Sequence, residues 1–161
     1  MLLSFIDHPP SATDDVTFGG SSCGVQKRRP DTLWIGEDRV VSIEIDEKGG
    51  HPDRDPSCEM AKMQDQATAF YALLGKVVPI FYLRFNPDES GCGTSLDDRV
   101  RRVSSRVNTL LSQNLTDIVK GDNHLRIHVE YHFYHEKCTH HIDAVREDDA
   151  FQIVECNTQA T

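Results

Sequence analysis

No stretch of the chain approaches the ~18 consecutive apolar residues that a membrane-spanning helix needs, so a membrane protein is not expected. A secretory leader is not expected either. The opening MLLSFIDHPP has no basic stretch ahead of its apolar start, and only about five apolar residues precede Asp7. Cysteine is scarce and unpatterned: Cys23, Cys58, Cys92, Cys138 and Cys156 form no CxxC pair, and an odd number cannot all be joined within one chain. These absences point to a reducing intracellular compartment, cytoplasmic or nuclear. Positive charge is also in deficit. Seventeen Lys and Arg against twenty-six Asp and Glu leave a net charge of -9, which by itself argues against a polyanionic partner. The deficit is uneven, however, because KRR at 27 to 29 and RVRR at 99 to 102 concentrate basic residues while acids gather at 44 to 59 and 143 to 155.

What is present fits one domain. The 161 residues, 38% hydrophobic and 27% charged, suffice for a single core but not for two. Residues 1 to 24, with HPP, DD, GG and SS and no periodicity, read as an irregular segment. Two strands follow, at about 32 to 35 and 39 to 47, joined through Gly36-Glu37-Asp38, a triplet suited to a hairpin. After the loop GGHPDRDPS, Met60, Met63, Ala67, Phe70, Tyr71 and Leu74 recur at helical spacing, with Ser57 as N-cap and Gly75 as the stop. VVPIFYLRF is then a strand, so that strand, helix and strand imply a parallel crossover with the hairpin adding an antiparallel neighbour. A second helix opens on Ser95-Leu96-Asp97-Asp98 and buries Leu96, Val100, Val103, Val107, Leu110 and Leu111. LRIHVEYHFYHEK, in which Leu125, Ile127, Val129 and Tyr131 alternate, and AFQIVEC supply two further strands. The expected fold class is α/β, a mixed sheet built from a hairpin plus a βαβ crossover and flanked by helices.

The chemistry concentrates in VVSIEIDEKGGH, residues 40 to 51. Strand alternation sends Val41, Ile43 and Ile45 to one face, toward a core, and Glu44, Asp46 and Lys48 to the other. Successive charged side chains on that face are ~7 Å apart, and two carboxylates so placed repel unless a cation sits between them. Mg²⁺ held by carboxylates and waters is such a cation, and a nearby lysine is suited to orient an attacking water. A hairpin turning at 36 to 38 also brings Asp31, directly after Pro30, to the Glu44 end of this face. The plainer account is a solvated face on an edge strand, although edges are usually blunted by lysine rather than by stacked acids.

Arg29-Pro30-Asp31, the hairpin, Asp46-Glu47-Lys48, the helix and the parallel strand together resemble the PD-(D/E)XK nuclease superfamily over roughly residues 27 to 90. The resemblance implies a restriction-endonuclease-like core and Mg²⁺-dependent hydrolysis of DNA phosphodiester bonds, with Mn²⁺ able to substitute. It implies Asp31 and Asp46 as metal ligands and Lys48 as the residue assisting the water. The longer string EIDEKGGH is similar to very-short-patch-repair-like endonucleases. In that pattern Glu44 and Asp46 are the acids and His51 shares the lysine's work, so the choice between Lys48 and His51 stays open. The nuclease-like domain would span residues 25 to 156, with 157 to 161 as a tail.

Several residues invite secondary roles. Glu59 and Lys62, one turn apart on the first helix, are within reach of the metal site in such a fold, although an exposed i,i+3 ion pair is the plainer explanation. Lys27, Arg28 and Arg29, together with Arg99, Arg102 and Arg106 on one helix face, are candidate phosphate contacts, against the alternative of a solvated face. Arg84, in Arg84-Phe85-Asn86-Pro87-Asp88, ends a strand where ligands of open α/β sheets bind; a capped Asn-Pro turn explains the same residues equally well. Six of the eight histidines lie between 124 and 141, and HEKCTHH offers Cys138 and His141 to Zn²⁺. No CxxC or spaced His pair completes a zinc set. The expectation is therefore a DNA endonuclease, with a catalytically inactive nucleic-acid or protein binding module of the same fold as the alternative. A homodimer would suit double-strand breaks, but no interface stripe is visible.

Overall fold

The computed structural model describes residues 2–13, 30–47, 55–88, 93–119, 127–135 and 140–159. A one-turn 3₁₀ helix (Leu2–Phe5) is followed by β1 (Ala12–Thr13), β2 (Thr32–Ile35), β3 (Val40–Ile45), α1 (Pro56–Leu74), β4 (Ile80–Phe85), α2 (Leu96–Ser112), α3 (Leu115–Ile118), β5 (Ile127–His135), α4 (His140–Glu147) and β6 (Phe151–Gln159). The strands form one six-stranded sheet in sequence order. β1, β2 and β3 pair antiparallel, while β3, β4, β5 and β6 are parallel. The mixed α/β sheet is thus as the sequence implies. No helix among the described residues is long and apolar enough to cross a membrane.

Local chemistry explains the boundaries. The β2–β3 turn closes with the Gly36 amide donating to the Arg39 carbonyl at 2.9 Å, and the register sets Thr32 against Ile43 and Ile35 against Val40. α1 begins two residues earlier than Ser57 suggests. Asp55 is its N-cap and accepts from the Ser57 amide at 2.9 Å, with Pro56 in the first turn, where a missing N–H costs nothing. Its other end is the Gly75 stop, in the left-handed conformation at φ 67°. Ser95 caps α2, accepting from the Asp98 amide at 3.1 Å while its hydroxyl donates to the Asp98 carboxylate at 2.7 Å.

Two cores lie on opposite faces of the sheet. Met63, Ala67 and Phe70 of α1, with Ile142 and Val145 of α4, cover Leu33, Val40, Ile80, Tyr82, Val129 and Tyr131. Val100, Val103, Val107 and Leu110 of α2 cover Trp34, Val41, Ile43, Phe81, Leu83 and Phe85. All three helical connections step the same way across the sheet, so the β4–α2–β5 connection has the opposite hand to its two neighbours and places its helix on the other face. The consequence is a sheet buried on both sides, which is why IFYLRF reads as a continuous run rather than an alternation.

Four expectations are corrected here. Leu96 is 40% exposed and drops out of the α2 stripe, because it occupies the first turn beyond the sheet edge. The described part of the N-terminal segment is regular structure: Leu2, Phe5 and Ile6 pack on the α2 core and Ala12–Thr13 extends the sheet. The tail is also shorter than residues 157 to 161, since β6 pairs with β5 as far as Gln159. Finally, the acidic face of β3 is not solvated. β3 is an interior strand, and Glu44 lies beneath α1 at 6% exposure, whereas Ile45, expected in the core, is 44% exposed at the strand end.

Candidate active site

The register that opposes Thr32 to Ile43 makes Asp31 and Glu44 the next facing positions at the open end of the hairpin. Asp31 closes that end by accepting from the Ile45 amide through Oδ2 at 2.6 Å. The Asp46 amide donates to the Phe85 carbonyl at 2.8 Å, so β3 stays paired to β4 through the last acid. Asp31 just before β2, Glu44 on β3 and Asp46 just after it therefore lie at the carboxyl end of the parallel strands, where open α/β sheets bind ligands. Asp31 also borders a cavity of about 610 Å³, with Thr32, Ile45 and Glu47 beside it and Leu2 and Leu3 opposite.

Cations from α1 and β4 answer these acids. Lys62 Nζ donates to Glu44 Oε2 at 2.5 Å. Arg84, directly across from Glu44 on β4, turns its guanidinium onto Asp46: Nε reaches Oδ2 at 2.6 Å and Nη2 reaches Oδ1 at 2.8 Å. The same Nη2 lies 3.2 Å from Glu59 Oε2. Tyr134 of β5 completes the cluster, its hydroxyl donating to Asp46 Oδ2. Glu59 and Lys62 thus do not form an exposed i,i+3 pair on α1; both point under the helix, because two buried carboxylates and a buried arginine there need partners.

The two acids of β3 are tuned in opposite directions. Burial pushes the Glu44 carboxyl up to about 7, more than the Lys62 ammonium pulls it down, with Asp31 adding to the rise. Burial raises Asp46 too, but the Arg84 guanidinium and the Tyr134 hydroxyl outweigh it and hold that carboxyl below its usual range. The Tyr134 phenol is itself raised well above its ordinary value by burial, so it remains a donor. Glu44 Oε1 is buried without a hydrogen-bond partner among the described residues.

Phosphate contacts from α2 are corrected. Arg99 is fully buried, its Nη1 donating to the Asp88 carbonyl at 2.6 Å and the Asn86 carbonyl at 3.4 Å, so it staples the turn after β4 instead of facing solvent. Arg106 holds Glu130, a fully buried carboxylate on β5, at 2.7 to 3.0 Å. Burial raises Glu130, but His132 and Arg106 more than offset it, leaving the carboxyl below its usual range. Arg102 alone of the three is exposed. Arg84 is likewise an internal partner, and Asn86, 2% exposed, caps the turn by accepting from the Asp88 amide at 3.0 Å. Lys27, Arg28, Arg29, Lys48, His51 and Cys138 lie outside the described residues, as does the His141 side chain.

Neither a known protein family, nor a curated protein, nor a solved structure matches the chain. The site therefore stands on its own geometry. Among the described residues no group of three His, Cys, Asp or Glu side chains converges closely enough to cage a metal by itself.

The sequence signals for two members of the cluster differ. Arg84 interrupts an otherwise apolar run in IFYLRF, and a charge in the middle of a buried strand announces a buried partner. Tyr134 carries no such signal. Counted by alternation from Tyr131, it belongs to the opposite face.

Proposed function

We propose that this chain is a divalent-metal-dependent DNA endonuclease of the PD-(D/E)XK type, with a restriction-endonuclease-like core, acting at Asp31, Glu44 and Asp46. The observation that supports the reading is the placement of these three acids at one end of the β2–β3 hairpin, with Lys62 donating to Glu44 and Arg84 to Asp46.

The donor set suits Mg²⁺, which takes one or two carboxylates, keeps several waters and draws further ligands from substrate phosphate. Glu44 Oε1, buried and without a hydrogen-bond partner among the described residues, is an acceptor that a cation would suit. Among the described residues Asp46 Oδ2 accepts from Arg84 and Tyr134, while Oδ1 accepts only from Arg84, which leaves it a lone pair. Asp31, Glu44 and Asp46 would hold the ion, and the ion would supply Lewis-acid stabilisation of the charge developing on the phosphate.

The chain's own residues contribute the rest. Arg84 and Tyr134 hold the Asp46 carboxylate in one orientation, and Lys62 keeps Glu44 beside Asp31 against their repulsion. Lys48 or His51 takes the role of orienting the attacking water. A non-catalytic nucleic-acid or protein binding module is the second reading, favoured by the net charge of -9 and by the occupied oxygens of Asp46.

Supercoiled plasmid and branched or single-stranded oligonucleotides, incubated with Mg²⁺, Mn²⁺ or EDTA, separate the two. Metal-dependent cutting that disappears in a folded Asp46→Ala variant supports the nuclease. Cutting that persists in that variant sinks the site. A wild type that binds no divalent ion and cuts nothing leaves the binding module.

A further inference from the structure

β5 does not run straight. Its pairing with β6 slips between His132 and Tyr134, and Phe133, inside the slip, has φ 63°, the only positive φ at a non-glycine position among the described residues. The left-handed region is costly for a residue with a bulky side chain, so the surrounding structure must impose it.

The slip changes which face each side chain meets. In a regular strand Tyr131 and Phe133 share one face, and His132 and Tyr134 the other. Here Tyr131 and Tyr134 both lie in the core under α1, while Phe133 lies in the core under α2, edge-on to Phe85 at 6.1 Å between ring centroids. Tyr134 is held edge-on against Tyr131 at 5.2 Å, and from there its hydroxyl reaches Asp46. Bulges beside active sites commonly re-aim a side chain in this way.

We infer that Tyr134, turned onto the α1 face by the left-handed bulge at Phe133, is a positioning residue that fixes the orientation of the Asp46 carboxylate for metal binding. The inference rests on the nuclease reading of Asp46. Its chemistry is that of an outer hydrogen-bond partner to a ligating carboxylate. Tyr134 shares Oδ2 with Arg84 Nε, so the carboxylate is held from two strands, β4 and β5, and the remaining lone pair of Oδ1 is left in a defined direction. Arg84 alone would leave the group free to pivot with its guanidinium.

The test uses the full chain and Mn²⁺ alone as the probe, with binding followed by the free-ion signal in electron paramagnetic resonance. Thermal unfolding and plasmid cleavage are measured on the same samples. Tyr134→Phe removes one oxygen and keeps the ring against Tyr131. The expected result is Mn²⁺ binding weakened by about 10- to 100-fold, a fall in kcat at saturating DNA and at a Mn²⁺ concentration that just saturates wild type, with KM for DNA unchanged, and an unfolding temperature close to wild type. Tyr134→Leu, which discards the ring as well, should lose stability in addition. Equal Mn²⁺ affinity and kcat in wild type and Tyr134→Phe overturns the positioning role while leaving the nuclease reading intact. A folded wild type that binds no Mn²⁺ overturns both.

Discussion

Lys62, on α1, holds Glu44, on β3, at 2.5 Å across the interface between helix and sheet. Neither residue is near the other in sequence, and both are largely withdrawn from water, with side-chain exposures of 20% and 8%. The pair makes the carboxylate tolerable under the helix and links the position of α1 to the charge state of the site.

Removing the ammonium should therefore cost more at high pH than at low pH. In Lys62→Met an ionised Glu44 is left without its partner, a loss of about 2 kcal/mol at pH 8 that shrinks toward pH 5, where the carboxyl is protonated. Urea unfolding at the two pH values measures it. An equal loss at both would show that Lys62 contributes by packing its stem instead.

Glu44 also sets a pH dependence of its own. Its folded pKa of about 7 lies above its unfolded value of 4.5, so its contribution is fully present below pH 4.5 and is lost as pH rises through 7. Glu44→Gln removes this titration. The unfolding temperature of the wild type, relative to that variant, is expected to decline between pH 5 and pH 8 in the absence of metal. A constant difference across that range contradicts the raised pKa.

Asp46 works in the opposite sense, its carboxyl being held below the usual value of 3.8. Its contribution is present above the unfolded pKa and lost as pH falls through the folded one. Arg84→Leu removes the guanidinium from Asp46 and Glu59 under α1, leaving Asp46 with the Tyr134 hydroxyl, and should destabilise the fold by about 3 to 5 kcal/mol. Arg84→Lys restores charge without the two-pronged contact and is expected to recover only part of that loss. Chemical denaturation of both variants decides this, and full recovery by lysine would make the two-point grip on Asp46 irrelevant to stability.

The bulge has a stability signature that reverses the ordinary preference of strands. At position 133 both Gly and Ala lose the buried ring, but only Gly accepts φ 63° without strain. Phe133→Gly should be more stable than Phe133→Ala by about 1 kcal/mol, whereas the reverse order is expected at a regularly paired strand position such as Leu83. Paired denaturation curves at 133 and 83 settle it, and Ala above Gly at both positions would remove the left-handed bulge.

The α2 arginines divide by burial, not by charge. Arg106→Ala takes the guanidinium from Glu130, a carboxylate at 0% exposure that keeps the His132 ring at 3.1 Å, and should cost about 3 kcal/mol. The exposed Arg102→Ala should stay within about 0.5 kcal/mol. Comparable losses at the two sites would argue against the Arg106–Glu130 pair.

These residues also mark how far the sequence could be read. The meeting of Asp31 with Glu44 was legible only to within one residue: a turn at 36 to 38 pairs 35 with 39 and opposes Asp31 to Ile43, whereas the observed pairing of Ile35 with Val40 opposes it to Glu44. The βαβ unit was legible because helical spacing from Met60 to Leu74 between two strand-length runs admits few arrangements. The inward roles of Glu59 and Lys62 were not, since an i,i+3 pair of opposite charge looks the same on a solvated helix as on one that covers acids. Arg99 and Arg106 were misplaced because the helical period assigns a face, while the depth of that face depends on what packs against it.

By itself, then, the sequence determined the local and near-local relationships, namely the hairpin, the stop at Gly75, the cap at Ser95, the run of acids on one strand and the βαβ crossover. Those depend on backbone periodicity and turn chemistry, which act over a few residues. The tertiary structure alone decided that the acids lie under α1 with Lys62 and Arg84 as their counter-charges, and that a left-handed Phe133 carries Tyr134 to Asp46. Those outcomes follow from desolvation and packing between segments up to 88 residues apart, where the cost of burying a charge selects its partner only after the chain has closed around it.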